Sequence, residues 1–67
     1  MSAPKMTISQ FRNLTIEQAV TALDITPTDN TYVYLTEKME LCAMEIRDHS
    51  ATPEDEFLTL GFVSSYR

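Results

Sequence analysis

Four short stretches of this sequence carry the signature of a helix start. Residues 7–10 (TISQ) and 15–18 (TIEQ) both fit the capping box, in which a Thr accepts from the backbone N–H of the third helical residue and a Gln at that residue reaches back to the N–H of the Thr. Residues 26–29 (TPTD) and 52–55 (TPED) place Pro at the first helical position and an acid in the first turn, where the positive end of a helix favours it. These stretches predict a chain built from helices.

The predicted fold is all-α, with one long central helix and shorter helices packed on one side of it. Pro27 and Pro53 each end the preceding helix, because the residue before a Pro is pushed out of the α region, and Gly61 fits the end of the last helix. A chain of 67 residues forms one domain, residues 1–67. The predicted helices span about 27–49 for the central helix and about 8–13, 16–25 and 53–60 for the shorter ones.

A small α+β fold is the structural alternative. The run at 31–36 (TYVYLT) and much of 57–65 are rich in β-branched and aromatic residues, which favour strands. Strands near 31–36 and 57–65 would then replace part of the central helix and most of the last one. Short apolar segments of this composition suit either structure, so the sequence leaves both folds open.

The charge of the chain is negative and unevenly spread. Ten acids and five bases give a net charge of -5 at pH 7. Residues 27–56 carry eight of the acids against Lys38 and Arg47 alone. A surface of this sign repels phosphate, so we expect no direct binding to nucleic acid and a protein partner with a basic surface instead.

The cysteine count and the hydropathy pattern indicate where the chain resides. Cys42 is the only cysteine, which excludes an internal disulfide and favours a reducing compartment. No run of about 18 apolar residues occurs, so no membrane span is predicted. The start of the chain, MSAPKMTISQF, lacks the apolar stretch of a signal peptide. We expect a soluble, cytoplasmic protein.

One side of the predicted central helix lacks cover. Its core-facing stripe follows helical spacing and consists of Tyr32, Leu35, Met39, Cys42, Ala43 and Ile46. The opposite side carries apolar anchors between acids, and an apolar surface rimmed by charge is typical of a partner site. The predicted partner-binding residues are Val33, Tyr34, Glu37, Glu40, Leu41, Met44, Glu45 and Asp48. Two copies paired about a two-fold axis would cover this side, so a homodimer is expected.

No arrangement of residues in the sequence predicts catalysis. Cys42, Glu45 and His49 share a face of the predicted helix, but the chain has no further Cys or His to complete a metal site. Cys42 and His49 would stand about 10 Å apart along that helix, beyond hydrogen-bond reach. The acids at 54–56 fall in a predicted first turn, and a chain with one glycine has no phosphate-binding loop. We expect no enzyme, no metal and no cofactor.

The predicted function is protein binding without catalysis, as a small acidic regulator, inhibitor or assembly factor. One alternative is a phage-type inhibitor that binds a nucleic-acid enzyme or a host defence complex by presenting carboxylates where DNA presents phosphates. That alternative depends on size and charge alone.

A second alternative is a helix-turn-helix DNA-binding regulator formed by residues 15–35. Three features weigh against it. Asp24 occupies the turn position that favours Gly, and Asn30 falls where a buried aliphatic residue should pack. The second helix would open with Asp29 and carry no Arg or Lys before Lys38, so contacts to phosphate and guanine lack donors.

Overall fold

The chain folds as a three-stranded antiparallel sheet with two short helices on one face. The computed structural model describes residues 4–66. In chain order the elements are α1 (Ile8–Arg12), α2 (Ile16–Leu23), β1 (Thr31–Thr36), β2 (Leu41–Glu45), β3 (Glu56–Phe62) and a 3-10 turn (Val63–Tyr66). The strand order is β2-β1-β3, so β1 is central and the other two are edge strands. Within residues 4–66, no helix is long and apolar enough to cross a membrane.

The prediction of an all-α fold is therefore wrong, and the α+β alternative gives the correct class. Residues 27–49, predicted as one long helix, form β1, a turn and β2, and the predicted helix at 53–60 is largely strand β3. The segment that a helix-turn-helix would use as its second helix is β1. Residues 1–3 and Arg67 of the predicted domain lie outside the described residues.

Both predicted capping boxes are present. The Gln10 N–H donates to Thr7 Oγ1 over 3.1 Å, and the Thr7 N–H donates to Gln10 Oε1 over 2.9 Å. Thr15 and Gln18 repeat the pair of hydrogen bonds at 3.1 and 3.0 Å. The helix that follows Thr15 ends at Asp24, which adopts the left-handed conformation with φ 54°. These contacts confirm the first two predicted helices, which are α1 and α2.

The two Thr-Pro stretches lead into turns instead of helices. The Thr31 N–H donates to the Thr28 carbonyl oxygen over 3.2 Å, and the Glu56 N–H donates to the Pro53 carbonyl oxygen over 3.3 Å. Pro and Asp favour β-turns as well as helix starts, and each stretch is followed by residues that favour a strand. The prediction of helices after these two stretches failed because the same residues signal both structures.

The central strand β1 is buried along its whole length because both faces of the sheet are covered. On one face, Val33 and Leu35 are fully buried and pack in a core with residues of α1 and α2. On the other face, Tyr32 and Tyr34 form a second cluster with Ile46. A strand with two buried faces shows no alternation of polar and apolar residues, so its sequence resembles that of a buried helix.

The loop between β2 and β3 contributes the cover of this second face. The Phe62 ring lies edge-on to Tyr32, with 4.8 Å between the ring centroids, and stacks on His49 with 3.9 Å between centroids. The His49 Nε2 atom lies 2.9 Å from Asn30 Oδ1. These contacts tie the loop to the start of β1 and to the end of β3.

Candidate functional site

The structure separates the predicted apolar anchors. Val33 and Leu41 are 0% exposed and pack in the core on the helix face of the sheet. Tyr34 is buried on the opposite face. Their prediction as exposed anchors on a helix surface is wrong, because a strand sends alternate side chains to opposite faces and both faces are covered here.

The predicted acidic rim is also divided. Glu37 is exposed and Glu40 is half-buried, and both lie in the turn between β1 and β2. The backbone of Glu40 pairs with the backbone of Lys5 in an isolated antiparallel β-bridge. Glu45 and Asp48 are exposed at the other end of β2 and in the loop after it. Of the predicted anchors, Met44 remains at the surface, next to Glu45 in the chain. Partner binding at Met44 and at the four acidic residues stays a prediction.

Cys42, Glu45 and His49 do not converge on one point. Cys42 packs against the tyrosine cluster, whereas the Glu45 carboxylate contacts Thr28 and Thr31, and His49 belongs to the loop after β2. Across the described residues, no group of three or more His, Cys, Asp or Glu side chains could hold a metal ion.

The start of the outer edge of β2, at Leu41, is covered by the chain's own N-terminal segment, residues 4–6. This segment runs antiparallel to β2. The Met6 N–H donates to the Met39 carbonyl oxygen over 3.0 Å, and the Leu41 N–H donates to the Pro4 carbonyl oxygen over 2.7 Å. Segment 4–6 therefore acts as a very short additional strand.

Ala43 and Glu45 form the remainder of this edge, and no hydrogen bond from residues 4–6 extends to it. Pro4 has no N–H and so cannot donate back to the Leu41 carbonyl oxygen. Backbone groups in an antiparallel ladder alternate in direction. The Thr36 N–H donates to the Glu40 carbonyl oxygen over 3.0 Å, so the backbone groups of Glu40 point toward β1. By alternation, the backbone groups of Ala43 and Glu45 point outward, away from β1.

Two exposed apolar side chains flank these outward-facing backbone groups. Met44 is 43% exposed and Ile25 is 37% exposed. Both line a shallow groove of about 290 Å³ that also includes Ala43. A strand edge with apolar side chains beside it is the arrangement to which an extended peptide adds as a new strand.

The Glu45 carboxylate is held in position at the same edge. The Thr28 hydroxyl donates to its two oxygens over 3.0 and 2.7 Å, and the Thr31 hydroxyl donates over 2.7 Å. The hydrogen bonds from Thr31 and then Thr28 lower the pKa of Glu45, and the positive charge of Arg47 lowers it further. The carboxylate is therefore ionised at neutral pH.

The other edge strand, β3, is irregular. Its pairing with β1 skips Leu60 and Phe57, which marks two bulges. Gly61, predicted as the end of a helix, lies inside β3 with φ 112°, a conformation that favours a residue without Cβ. Phe57 is 46% exposed. Bulges disrupt the regular spacing of backbone groups on an edge and increase its twist, which opposes the addition of another strand.

A more polar cleft lies at the far end of the sheet, on the tyrosine face. It measures about 310 Å³ and is lined by Thr36, Glu37, Lys38, Glu40, Cys42 and Asp55. Burial raises the pKa of the Cys42 thiol, and the charges of Asp55 and Glu40 raise it further. Burial also raises the pKa of Tyr34, with the charge of Asp55 as the next cause. The carboxylates therefore make this cleft negative.

Sequence reasoning missed Ile25 and the outer edge of β2. Ile25 was assigned to the end of a helix, whereas the helix ends before it and Asp24 turns the chain. An apolar residue left between a helix end and a Thr-Pro pair was the available local signal. The pairing of segment 4–6 with β2 joins distant parts of the chain and has no local signal.

The chain matches no protein-family model, no curated protein and no solved structure. Its function must therefore be inferred from the surfaces described above.

Proposed function

We propose that this protein is a non-catalytic binding module that accepts an extended segment of a partner protein as an added strand on the outer edge of β2. The observation that carries this proposal is the outward-facing backbone of Ala43 and Glu45, flanked by exposed Ile25 and Met44. Backbone hydrogen bonds give an added strand its affinity, and the neighbouring side chains give it selectivity.

The chain's own segment 4–6 supports this proposal. It already pairs with Met39 in the preceding turn and with Leu41 at the start of the same edge, through hydrogen bonds of 3.0 and 2.7 Å. The edge therefore accepts an extended chain in the geometry that a partner segment would need. Among the described residues 4–66, no further strand pairs with the outward side of Ala43 and Glu45.

The exposed side chains suggest the strength of binding. Covering the exposed parts of Met44 and Ile25 would contribute about 1 kcal/mol each, and a few backbone hydrogen bonds would add about 1 kcal/mol each. Association also costs translational and rotational freedom. We expect a dissociation constant between about 1 mM and about 1 μM, which corresponds to roughly −4 to −8 kcal/mol.

Charge and cysteine chemistry suggest the kind of partner and its compartment. A net charge of -5 on every copy opposes self-association and favours a partner of basic surface. A second copy of the chain is the competing occupant of this edge. The homodimer predicted from the sequence used a different surface, the exposed side of a long helix that the fold does not contain. Cys42 is a free cysteine, which is consistent with the cytoplasm.

The test is a capture experiment with three tagged baits: the wild type, the double variant Ile25→Gln/Met44→Gln, and the control Phe57→Gln. The control removes a similarly exposed apolar side chain from the other edge strand without changing the charge. A partner identified with the wild type should bind the double variant about tenfold more weakly and the control equally well. Unchanged binding to the double variant would contradict the proposal. Light scattering over a range of concentrations tests whether a second copy occupies the edge.

A second candidate function is inhibition of a nucleic-acid enzyme through the negative cleft. The carboxylates of Glu37, Glu40 and Asp55 line this cleft and favour a basic partner. For this function, the variant Glu37→Gln/Glu40→Gln/Asp55→Asn should lose the partner, and so should the wild type at high salt. The double variant at Ile25 and Met44 should keep it, which separates the two candidates.

A further inference from the structure

The face of the sheet away from the helices is covered by a segment that contains neither strand nor helix, residues 47–55. We infer that this segment, the strap, is fastened to the sheet at both ends and opens as a unit while the sheet stays folded. Opening uncovers the aromatic rings of Tyr32, Tyr34 and Phe62. The inference goes beyond the proposed function, because it uses no part of the outer edge of β2.

The first fastening of the strap is His49. Its ring stacks on the ring of Phe62 with 3.9 Å between the centroids, and its Nε2 atom lies 2.9 Å from Asn30 Oδ1. Phe62 is the last residue of β3 and Asn30 directly precedes β1, so one side chain ties the strap to two strands. His49 is itself exposed. Its ring can therefore leave Phe62 without disturbing the core.

The second fastening lies at the other end of the strap, at Asp55. The Tyr34 hydroxyl hydrogen-bonds the Asp55 carboxylate. The next residue, Glu56, is the first of β3 and accepts a hydrogen bond from the Tyr32 hydroxyl. The tyrosines that the strap covers therefore also hold its second end.

The middle of the strap makes local contacts. The Ser50 N–H and hydroxyl both donate to Asp48 Oδ1, over 3.0 and 2.6 Å, and the Ala51 N–H donates to the Asp48 carbonyl oxygen over 2.9 Å. Residues 47–52 are all exposed. A segment with few buried apolar contacts opens at a lower free energy than the core of a fold, and these local hydrogen bonds can persist when it does.

The hinges of the strap are the residues on either side of it. Ile46 is buried in the tyrosine cluster, and its N–H donates to the Asn30 carbonyl oxygen over 2.9 Å. Glu56 is paired with Thr36 in the sheet. Both residues stay with the sheet when the strap lifts. The strap thus switches the aromatic face between a covered and an accessible state.

Cys42 can report the opening. It is the only cysteine of the chain and packs half-buried against the tyrosine cluster. It also lines the same cleft as Asp55. Lifting the strap removes Asp55 from this cleft, so the thiol becomes more accessible to a reagent in solution.

The experiment measures how fast dithionitrobenzoate labels Cys42 in the folded full chain, over a range of urea concentrations below the unfolding transition. The Cys42 thiolate attacks the disulfide of the reagent, forms a mixed disulfide and releases a coloured thiolate. The variants are His49→Ala and Tyr34→Phe, one for each fastening, and the control is Thr52→Ala. Thr52 is exposed in the middle of the strap, so its replacement leaves both fastenings intact. Circular dichroism checks that each variant is folded.

We expect labelling to be about tenfold faster in His49→Ala, which loses the ring stack and the contact with Asn30. Tyr34→Phe should be labelled about threefold faster, and Thr52→Ala at the wild-type rate. The rate should rise only weakly with urea, because a local opening exposes little surface. Equal rates in wild type and His49→Ala would overturn the strap. A rate that rises with urea as steeply as global unfolding would also overturn it, because Cys42 would then become accessible only when the whole sheet unfolds.

Discussion

The two edge strands of this sheet are exposed in different ways. β2 pairs with β1 in an unbroken register, and segment 4–6 covers the start of its outer side at Leu41. β3 pairs with β1 through two bulges, and among residues 4–66 no other strand lies beside it. A regular edge is a template for another chain, whereas a bulged edge is protected against one. The backbone therefore favours β2 as the docking edge.

Side-chain exposure alone would not distinguish the two edges. Phe57 on β3 is 46% exposed and Met44 on β2 is 43% exposed. The two residues differ in their surroundings, because Met44 lines a groove with a second exposed apolar residue, Ile25. Phe57 lies at a bulge, and bulges re-aim side chains. The bulge therefore accounts for the exposure of Phe57 without a binding partner.

The largest expected effect concerns how firmly each edge strand is anchored. Leu41 on β2 is fully buried, whereas Leu58 on β3 is half-buried. Leu41→Ala should lower the free energy of unfolding by about 2–5 kcal/mol, and Leu58→Ala by about 1–2 kcal/mol. Urea unfolding followed by circular dichroism measures both. Equal losses would mean that β3 is anchored as firmly as β2.

A matched pair of proline variants tests the outward-facing backbone of each edge. The N–H of Ala43 faces outward on β2. The backbone N–H and C=O of Tyr34 point toward β2 and away from β3, so the N–H of Thr59, which lies opposite Tyr34, faces outward on β3. Ala43→Pro should weaken partner binding about tenfold or more, because it removes a donor to the added strand. Thr59→Pro should leave binding unchanged, as measured by titration calorimetry. A larger loss for Thr59→Pro would move the docking edge to β3.

Removing a bulge should make the two edges more alike. Deleting Phe57 removes one of the two residues that the pairing with β1 skips. A more regular β3 edge should pair with other chains, so we expect the apparent mass to rise with concentration above the 7.6 kDa of one chain. Light scattering measures this rise, and the Phe57→Gln variant, which keeps the bulge, is the control. A deletion variant that stays monomeric would contradict the protective role of the bulge.

Acid should loosen the β2 edge. The pKa of Glu45 is lowered by its hydrogen bonds from Thr31 and Thr28, so the ionised form stabilises the folded state. That contribution is present above the ordinary pKa of about 4.3 and is lost as pH falls through the lowered value. The stability difference between wild type and Glu45→Gln should therefore shrink between pH 7 and pH 3. A constant difference would mean that ionisation of Glu45 is not linked to folding.

Alkaline pH should loosen the contact between β1 and β3. Near neutral pH this is the smallest of the expected effects. Burial, and then the hydrogen bond that Tyr32 donates to Glu56, raise the pKa of Tyr32. A raised pKa means that this contribution to stability is present below the ordinary pKa of tyrosine, about 10, and is lost as pH rises through the raised value. Tyr32→Phe should be less stable than wild type at pH 8 and lose less stability on going to pH 11. Chemical unfolding at both pH values measures this, and equal losses would contradict it.

The sequence predicts those parts of this fold that depend on local contacts. A capping box spans four residues, so α1 and α2 could be identified from Thr7, Gln10, Thr15 and Gln18. The Thr-Pro stretches were ambiguous because Pro and Asp suit turns and helix starts alike. β1 was ambiguous because its residues are buried on both faces.

The same reasoning explains the outcome for the candidate site. Met44 and Glu45 were correctly expected at the surface, whereas Val33 and Leu41 were assigned there on a helical period that does not apply to strands. The cover that segment 4–6 gives to β2 depends on contacts between distant residues. Such contacts follow from the tertiary fold and leave no periodic pattern in the sequence.

The most direct test of the central claim is amide hydrogen exchange of the ¹⁵N-labelled protein with and without its captured partner. An added strand on β2 should slow exchange at Ala43 and Glu45 and leave Thr59 on β3 unchanged, because hydrogen-bonded amides exchange only when the bond opens. Slowed exchange at Thr59, with Ala43 and Glu45 unaffected, would contradict docking on β2 and assign the partner to the other edge.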